Sequence, residues 1–179
     1  MWRLFQFLFM GCFIFWMNIS LVAQTQPPPS LSSGKAPFFI LPTYDDKVIK
    51  SSTLIGNVVL LEFFQTWCPD CQKSAPVLEK FYKKYQNQGF VAVGISHDPE
   101  REKALEPFVK KNGLTYPVCM GDISIAANYI GVPSFRIPYL VFIDRKGMIA
   151  GRYEEGKNPE ATDPVFIEKE IQRLLKDLP

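Results

Sequence analysis

The stretch VVLLEFFQTWCPDC, residues 58–71, decides the fold of this chain. Its first seven residues are apolar except for Glu62, and such a run predicts a buried β-strand. Two cysteines, Cys68 and Cys71, follow with two residues between them. Residues 77–85 then carry apolar side chains at helical spacing. The cysteine pair is therefore expected where a strand ends and a helix begins.

The start of a helix is a favourable place for a reactive thiol. Its unpaired N–H groups and the positive end of its dipole favour a thiolate over a thiol at Cys68. Cys71 follows one turn later, within reach to close a disulfide ring. We therefore predict a thiol–disulfide exchange site, in which an exposed Cys68 attacks a substrate disulfide and a more buried Cys71 resolves the mixed disulfide.

Other uses of a Cys-x-x-Cys pair are less consistent with the sequence. A zinc site would require a second pair of ligands, and the other candidates, Cys12, His97 and Cys119, stand at unrelated spacings. A haem attachment site would require histidine directly after Cys71, where Gln72 stands. A purely structural disulfide stays open as an alternative. No metal and no cofactor is predicted.

The motif at residues 67–71, Trp-Cys-Pro-Asp-Cys, resembles the active-site loop of the thioredoxin superfamily, in particular of its exported TlpA/ResA-like thiol–disulfide oxidoreductases. Glu62 stands six residues before Cys68, where thioredoxins place a buried acid. Residues 136–147, RIPYLVFIDRKG, resemble the cis-proline strand and the hairpin that follows it. The similarity extends from about residue 36 to the C terminus.

Strand-like and helix-like patterns alternate along the chain, which indicates an α/β fold with helices on both faces of one sheet. Strands are predicted at residues 58–64, 90–96, 116–120, 138–143 and 148–153, and helices at residues 70–88, 100–112, 123–129 and 164–178. Asp98 and Pro99 are predicted as the N-cap and first residue of the second helix. The resemblance implies a thioredoxin fold with a central mixed β-sheet and a short N-terminal β-hairpin extension, from residues 36–41 and 47–49.

The resemblance also implies roles for residues outside the cysteine pair. Glu62 is expected to relay a proton for Cys71 during resolution; the alternative is a carboxylate paired with a lysine or reached by water. Ser74 stands where the family has an additional acid. A cis bond between Ile137 and Pro138 would bring the backbone of residue 137 against the disulfide, where it could pair with an extended substrate.

Three further residues of the motif are expected to support the site. Pro69 lacks an N–H and fixes the backbone that enters the helix. Asp70 places a negative charge beside Cys68, which opposes the thiolate and would make the dithiol a stronger reductant. A solvated carboxylate that only stabilises the helix start is the alternative. Trp67 is expected to pack on the loop and shape a docking surface, with an ordinary core aromatic as the alternative.

Two residues elsewhere carry reactive groups. Cys119 lies in an apolar stretch and is predicted as a small buried hydrophobe, with a third redox thiol or an intermolecular link as alternatives. His97 follows a buried strand and is predicted as part of the loop structure; an acid–base role is the alternative.

The N-terminal region predicts export. Residues 4–22 are almost wholly apolar and follow Arg3, so residues 1–23 are predicted to be a signal peptide or a membrane anchor. Residues 24–35 contain three consecutive prolines and several serines, which predicts a flexible linker. Residues 36–179 then form one thioredoxin-like domain. The expected location is periplasmic or otherwise extracytoplasmic, either soluble after cleavage or anchored.

The predicted function is that of an exported thiol–disulfide oxidoreductase that reduces protein disulfides, with cytochrome c maturation as one setting. Its partners would be proteins with disulfides or thiols and a membrane electron donor, because an exported reductant must be recharged from the cytosol. A net charge of +2 argues against nucleic acid. The alternative is a peroxiredoxin-like thiol peroxidase with Cys68 as the peroxidatic cysteine, although Gln65 stands where peroxiredoxins usually have threonine.

Overall fold

The computed structural model describes residues 34–98, 101–131 and 134–177, in which strands and helices alternate. These ranges contain seven strands: β1 Ile40–Pro42, β2 Val48–Lys50, β3 Val58–Phe64, β4 Phe90–Ser96, β5 Val118–Met120, β6 Tyr139–Ile143 and β7 Ile149–Glu154. The α-helices are α1 Pro69–Tyr85, α2 Arg101–Asn112, α3 Ile123–Ile130 and α4 Pro164–Lys176. The predicted order of elements is confirmed.

The central sheet has five strands in the order β5-β4-β3-β6-β7. Strand β4 pairs in parallel with β3 and β5, whereas β6 runs antiparallel to both β3 and β7. Strands β1 and β2 form a separate antiparallel hairpin. The predicted mixed sheet and N-terminal hairpin are therefore both present.

Strand β3 lies at the centre of the sheet, and all seven of its residues are buried. Successive side chains of a strand point to opposite faces. Leu60 and Phe64 pack in one core cluster with residues of α1, α2 and α4, and Leu61 and Phe63 pack in a second cluster with residues of α3 and β1. Both faces are covered, which explains why the strand reads as a continuous apolar run.

Element ends differ from the predictions by a few residues. Helix α1 ends at Tyr85, and a turn of 3₁₀-helix continues to Gln88 before Gly89. Gly89 has a φ of 84°, a left-handed conformation that glycine adopts without steric cost. Strand β5, at the edge of the sheet, begins only after Pro117, which has no backbone N–H to donate. The predicted helix start at residues 99–100 lies outside the described residues.

The described chain enters the domain beside the hairpin between β6 and β7. The Ile149 N–H donates to the Gly34 carbonyl oxygen at 2.9 Å, and the Ala36 N–H donates to the Gly147 carbonyl oxygen at 2.8 Å. Because β6 runs antiparallel to β3, this hairpin lies near the start of β3, whereas Cys68 follows the end of β3. The entry point and the cysteines are therefore at opposite ends of the sheet.

The predicted signal peptide or anchor, residues 1–23, lies outside the described residues, as does most of the predicted linker. Within the three described ranges, no helix is both long enough and apolar enough to cross a membrane.

Candidate active site

The cysteine pair lies at the N terminus of α1, as predicted. Cys68 is the N-cap residue, and its Sγ accepts a hydrogen bond from the Cys71 N–H at 3.3 Å. Pro69 occupies the first turn, where its missing N–H leaves no backbone bond unmade. Neither cysteine is joined in a disulfide, so the structure represents the dithiol. The Cys68 sulfur therefore lies at the N-terminal end of α1 and faces the backbone N–H of Cys71.

Cys68 was expected to be exposed, but the structure shows it largely buried. Cys68 is 5% exposed and Cys71 is fully buried, so the order of accessibility holds but the nucleophile is largely covered. The covering group is the segment before β6: the Cys68 Sγ lies 3.7 Å from the Ile137 carbonyl oxygen, within hydrogen-bond range for sulfur. The Ile137 carbonyl group therefore contributes to covering the Cys68 sulfur.

The Ile137–Pro138 peptide bond is cis, as the resemblance implied. Pro138 is buried directly before β6, while Ile137 is partly exposed beside Cys68. Pairing of the Ile137 backbone with an extended substrate stays a prediction.

A buried carboxylate, that of Glu62, lies close to the cysteine pair. Glu62 is 1% exposed, and burial raises its pKa to about 7, against the opposing effect of a hydrogen bond from Ser74. Among the described residues no lysine or arginine forms an ion pair with Glu62, which removes the alternative of a lysine pair. Burial, followed by the Glu62 charge and the contact with Cys68, raises the pKa of Cys71. A protonated thiol thus interacts with a carboxyl group that titrates near neutral pH.

Ser74 is a site residue whose role the sequence analysis missed. Its hydroxyl donates to Glu62 Oε1 and also lies 3.1 Å from the Cys71 carbonyl oxygen. The sequence shows Ser74 only as the position of an absent acid. The available signal was its spacing: three residues after Cys71, it lies on the same side of α1 as that cysteine.

Asp98 is a second residue with an unexpected position. Its buried carboxylate accepts from the Thr66 N–H at 3.0 Å, from the Thr66 hydroxyl at 3.2 Å and from the Ser96 hydroxyl. The carboxylate predicted as a helix cap is thus bonded to the loop that carries Trp67 and Cys68. This contact joins residues 32 positions apart and has no local sequence signal.

The side chains of Trp67 and Asp70 lie on either side of the Cys68–Pro69 segment of the motif. Trp67 is 65% exposed, so the alternative of an ordinary core aromatic is wrong. The Asp70 carboxylate lies 2.8 Å from Lys73 Nζ, one helical turn away. This exposed ion pair partly cancels the charge of Asp70, so its opposition to the Cys68 thiolate is weaker than the sequence alone predicts.

Neither Cys119 nor His97 contributes a group to the pair. Cys119 is fully buried on β5, and burial raises the pKa of its thiol to about 12, in keeping with a small hydrophobe. The ring of His97 packs 5.5 Å from that of Phe135, and burial lowers the pKa of the imidazole. No group of three or more metal-ligating side chains occurs in the part of the chain that the structure describes.

A strand that leads into a Cys-x-x-Cys helix start, with a cis-proline segment against the first sulfur, defines a thioredoxin-like protein. Solved structures agree. A candidate thiol:disulfide interchange protein DsbE from Chlorobium tepidum is 30% identical and superposes with a TM-score of 0.70, covering 82% of this chain and 99% of that one. Residues 33–152 match the sequence profile of the AhpC/TSA family, and the chain belongs to that family.

Curated relatives confirm the predicted resemblance to ResA-like proteins. The thiol-disulfide oxidoreductase ResA of Bacillus cereus is 33% identical over 116 residues, which cover 64% of this chain and 65% of the relative. The thioredoxin-like protein YneN of Bacillus subtilis is also 33% identical over 116 residues, covering 64% and 66%. The chain thus matches slightly less than two thirds of the length of these relatives.

Proposed function

We propose that this protein is a thiol–disulfide oxidoreductase that reduces disulfides of partner proteins through Cys68 and Cys71. The observation that carries the proposal is the arrangement of Cys68 as the N-cap of α1 next to the fully buried Cys71. Support comes from the names of the relatives, one a thiol-disulfide oxidoreductase and one a thioredoxin-like protein.

In the first step the Cys68 thiolate attacks one sulfur of a substrate disulfide. A bond forms between that sulfur and Cys68, and the other substrate sulfur leaves as a thiolate. The Ile137 backbone beside Cys68 and the exposed Trp67 offer the surface on which an extended substrate segment would bind.

In the second step Cys71 loses its proton to Glu62 and attacks the Cys68 sulfur. The Cys68–Cys71 bond forms, the bond from Cys68 to the substrate breaks, and the second substrate sulfur leaves as a thiolate. The protein dithiol is oxidised by two electrons and the substrate disulfide is reduced by two. The raised pKa of Cys71 supports the need for a base at this step.

The biological setting is part of the same proposal. The apolar run at residues 4–22 supports export to an extracytoplasmic compartment, through a signal peptide or anchor. An exported reductant requires a membrane electron donor, and apocytochrome c during cytochrome c maturation is a substrate of suitable chemistry. The reduction potential tests the direction of electron flow: a value of about −270 mV indicates a reductant and one of about −120 mV an oxidant.

A thiol peroxidase is the second candidate, because the AhpC/TSA match by itself does not distinguish the two activities. The site favours exchange. Gln65 stands at the position of the expected threonine, and its side chain amide donates to the His97 carbonyl oxygen at 3.3 Å. Position 65 therefore has no hydroxyl group in place of that threonine.

Two assays on the same preparations separate these functions. We expect wild-type protein to reduce insulin disulfides with a chemical reductant as electron source, Cys68→Ser to be inactive, and Cys71→Ala to accumulate a mixed disulfide. Cys119→Ala is the matched control and should retain activity. Peroxide consumption that exceeds disulfide reduction would replace the proposal with the peroxidase, and equal alkylation rates of Cys68 and Cys71 would contradict their assigned order.

A further inference from the structure

Ser74 connects the buried carboxylate to the resolving cysteine. It is buried on α1, one turn after Cys71. Its hydroxyl donates to Glu62 Oε1, and its Oγ also lies 3.1 Å from the Cys71 carbonyl oxygen. One hydroxyl group therefore has two acceptors within reach.

A serine hydroxyl carries one proton and cannot donate fully to both acceptors at once. When Glu62 is ionised, its carboxylate is the stronger acceptor and receives the hydroxyl proton. When Glu62 is protonated, its O–H can donate to Ser74 Oγ while the Ser74 proton turns to the Cys71 carbonyl oxygen. Both arrangements use the same heavy-atom positions and leave no donor in this group unpaired.

We propose that Ser74 is a positioning residue for the resolving step, and that its hydroxyl reverses direction as Glu62 gains and loses the Cys71 proton. This inference rests on the exchange reaction proposed above. Once Glu62 has taken the proton, the Cys71 sulfur attacks Cys68 and the substrate sulfur leaves as a thiolate, as already described. The proton then passes from Glu62 to solvent, and the Ser74 hydroxyl returns to the carboxylate.

Electrostatics make Glu62 the member of this cluster that titrates near neutral pH. Its pKa is raised to about 7 by burial, and the Ser74 hydrogen bond acts in the opposite direction. The titratable groups that face it from neighbouring elements are Cys71 on α1 and Tyr116 before β5, and burial raises the pKa of both. Both are neutral near pH 7, so Glu62 is the group in this cluster that changes its charge there. Removal of the Ser74 hydroxyl therefore changes the pH at which Glu62 ionises.

The test is the pH profile of the resolving step in Ser74→Ala. Ellman's reagent reports both steps, because one aromatic thiolate is released when Cys68 attacks and a second when Cys71 resolves. The midpoint of the second release should rise by about one pH unit, which makes resolution about tenfold slower at a fixed pH below the midpoint. Ser74→Thr retains the hydroxyl and should return the midpoint to its wild-type position.

Controls distinguish this role from a loss of packing. Ser51→Ala removes a hydroxyl outside the site, one that accepts from the Phe39 N–H at 3.0 Å, and should leave the midpoint unchanged. In a Glu62→Gln background, Ser74→Ala should cause no further shift. An unchanged midpoint in Ser74→Ala, or a failure of Ser74→Thr to restore it, overturns the positioning role but not the proposed function. Absence of a second release from wild-type protein overturns the proposed function itself.

Discussion

Glu62 on β3 and Glu79 on α1 are both buried glutamates, but their surroundings differ. Glu62 is 1% exposed and receives a hydrogen bond from the Ser74 hydroxyl. Glu79 is 6% exposed, lies 2.8 Å from Lys83 Nζ and accepts from the Thr115 N–H at 2.7 Å. Burial raises the pKa of Glu62 to about 7, whereas at Glu79 the bonds with Lys83 and Thr115 outweigh burial and lower the pKa.

The difference shows that burial of a carboxylate does not by itself indicate a functional group. Glu79 is a structural carboxylate whose charge is compensated by a cation and backbone donors. Glu62 has no such cation among the described residues, and burial raises its pKa into the range in which the carboxyl group gains and loses a proton near neutral pH. Two experiments test this contrast between the two glutamates, and two more extend it to other carboxylates of the site.

The largest effect is expected on the resolving step. Glu62→Gln keeps the shape of the side chain but removes the base, so release of the mixed disulfide should slow by about 100-fold or more. Glu79→Gln should leave that step within a few-fold of wild type. Stopped-flow kinetics separates the steps, and slower initial attack with normal resolution in Glu62→Gln would contradict the assigned role.

The second effect is on stability and its pH dependence. The folded-state pKa of Glu62 is above its ordinary value of 4.5, so the stability that its proton contributes is present below pH 4.5 and is lost as pH rises through about 7. The loss corresponds to about 3 kcal/mol in the free energy of unfolding. Glu79 has the opposite sign, and its contribution is lost only in acid.

Urea unfolding of the reduced protein between about pH 5 and 8 measures this slope. Glu62→Gln should flatten it, while Glu79→Gln should retain it with a lower overall stability. A slope that survives in Glu62→Gln would assign the titration to another group.

A third buried carboxylate extends the comparison to the active-site loop. Asp98→Asn replaces an acceptor with an amide whose NH₂ group faces the Thr66 and Ser96 donors, which should lower the free energy of unfolding by about 1–3 kcal/mol. The loosened loop should also raise the alkylation rate of Cys68. Asp163→Asn is the matched control, because this N-cap contact with the Val165 N–H suits asparagine equally well.

The smallest effect is expected at the exposed ion pair. Asp70→Asn removes a charge that opposes the Cys68 thiolate and should raise the reduction potential, by about 20 mV at most for an exposed pair. Lys73→Met should lower it by a similar amount. Redox equilibration with glutathione measures both, and shifts of the same sign would exclude an electrostatic origin.

The features predicted correctly from the sequence have local causes. The apolar run of β3, Pro69 at the helix start and Gly89 after α1 each specify backbone within a few residues. Other features depend on distant partners. Ile137 covers Cys68 from 69 positions away, and Asp98 binds Thr66 from 32 positions away. The resemblance of residues 136–147 had implied the first of these contacts. No pattern near Thr66 or Asp98 indicates the second, which required the folded chain.

Ser74 is an intermediate case between these two kinds of feature. The resemblance drew attention to the position because the expected acid is absent there. Its spacing from Cys71 is local, but its contact with Glu62 joins α1 to β3, and only the packed arrangement brings the hydroxyl to the carboxylate.

The first described residues lie at the end of the sheet opposite to the redox pair. Gly34 and Ala36 are bonded to the β6–β7 hairpin, one length of β3 away from Cys68, which is about 20 Å at the usual rise per residue. Anything attached before residue 34 therefore joins the domain at the end of the sheet remote from Cys68 and Cys71.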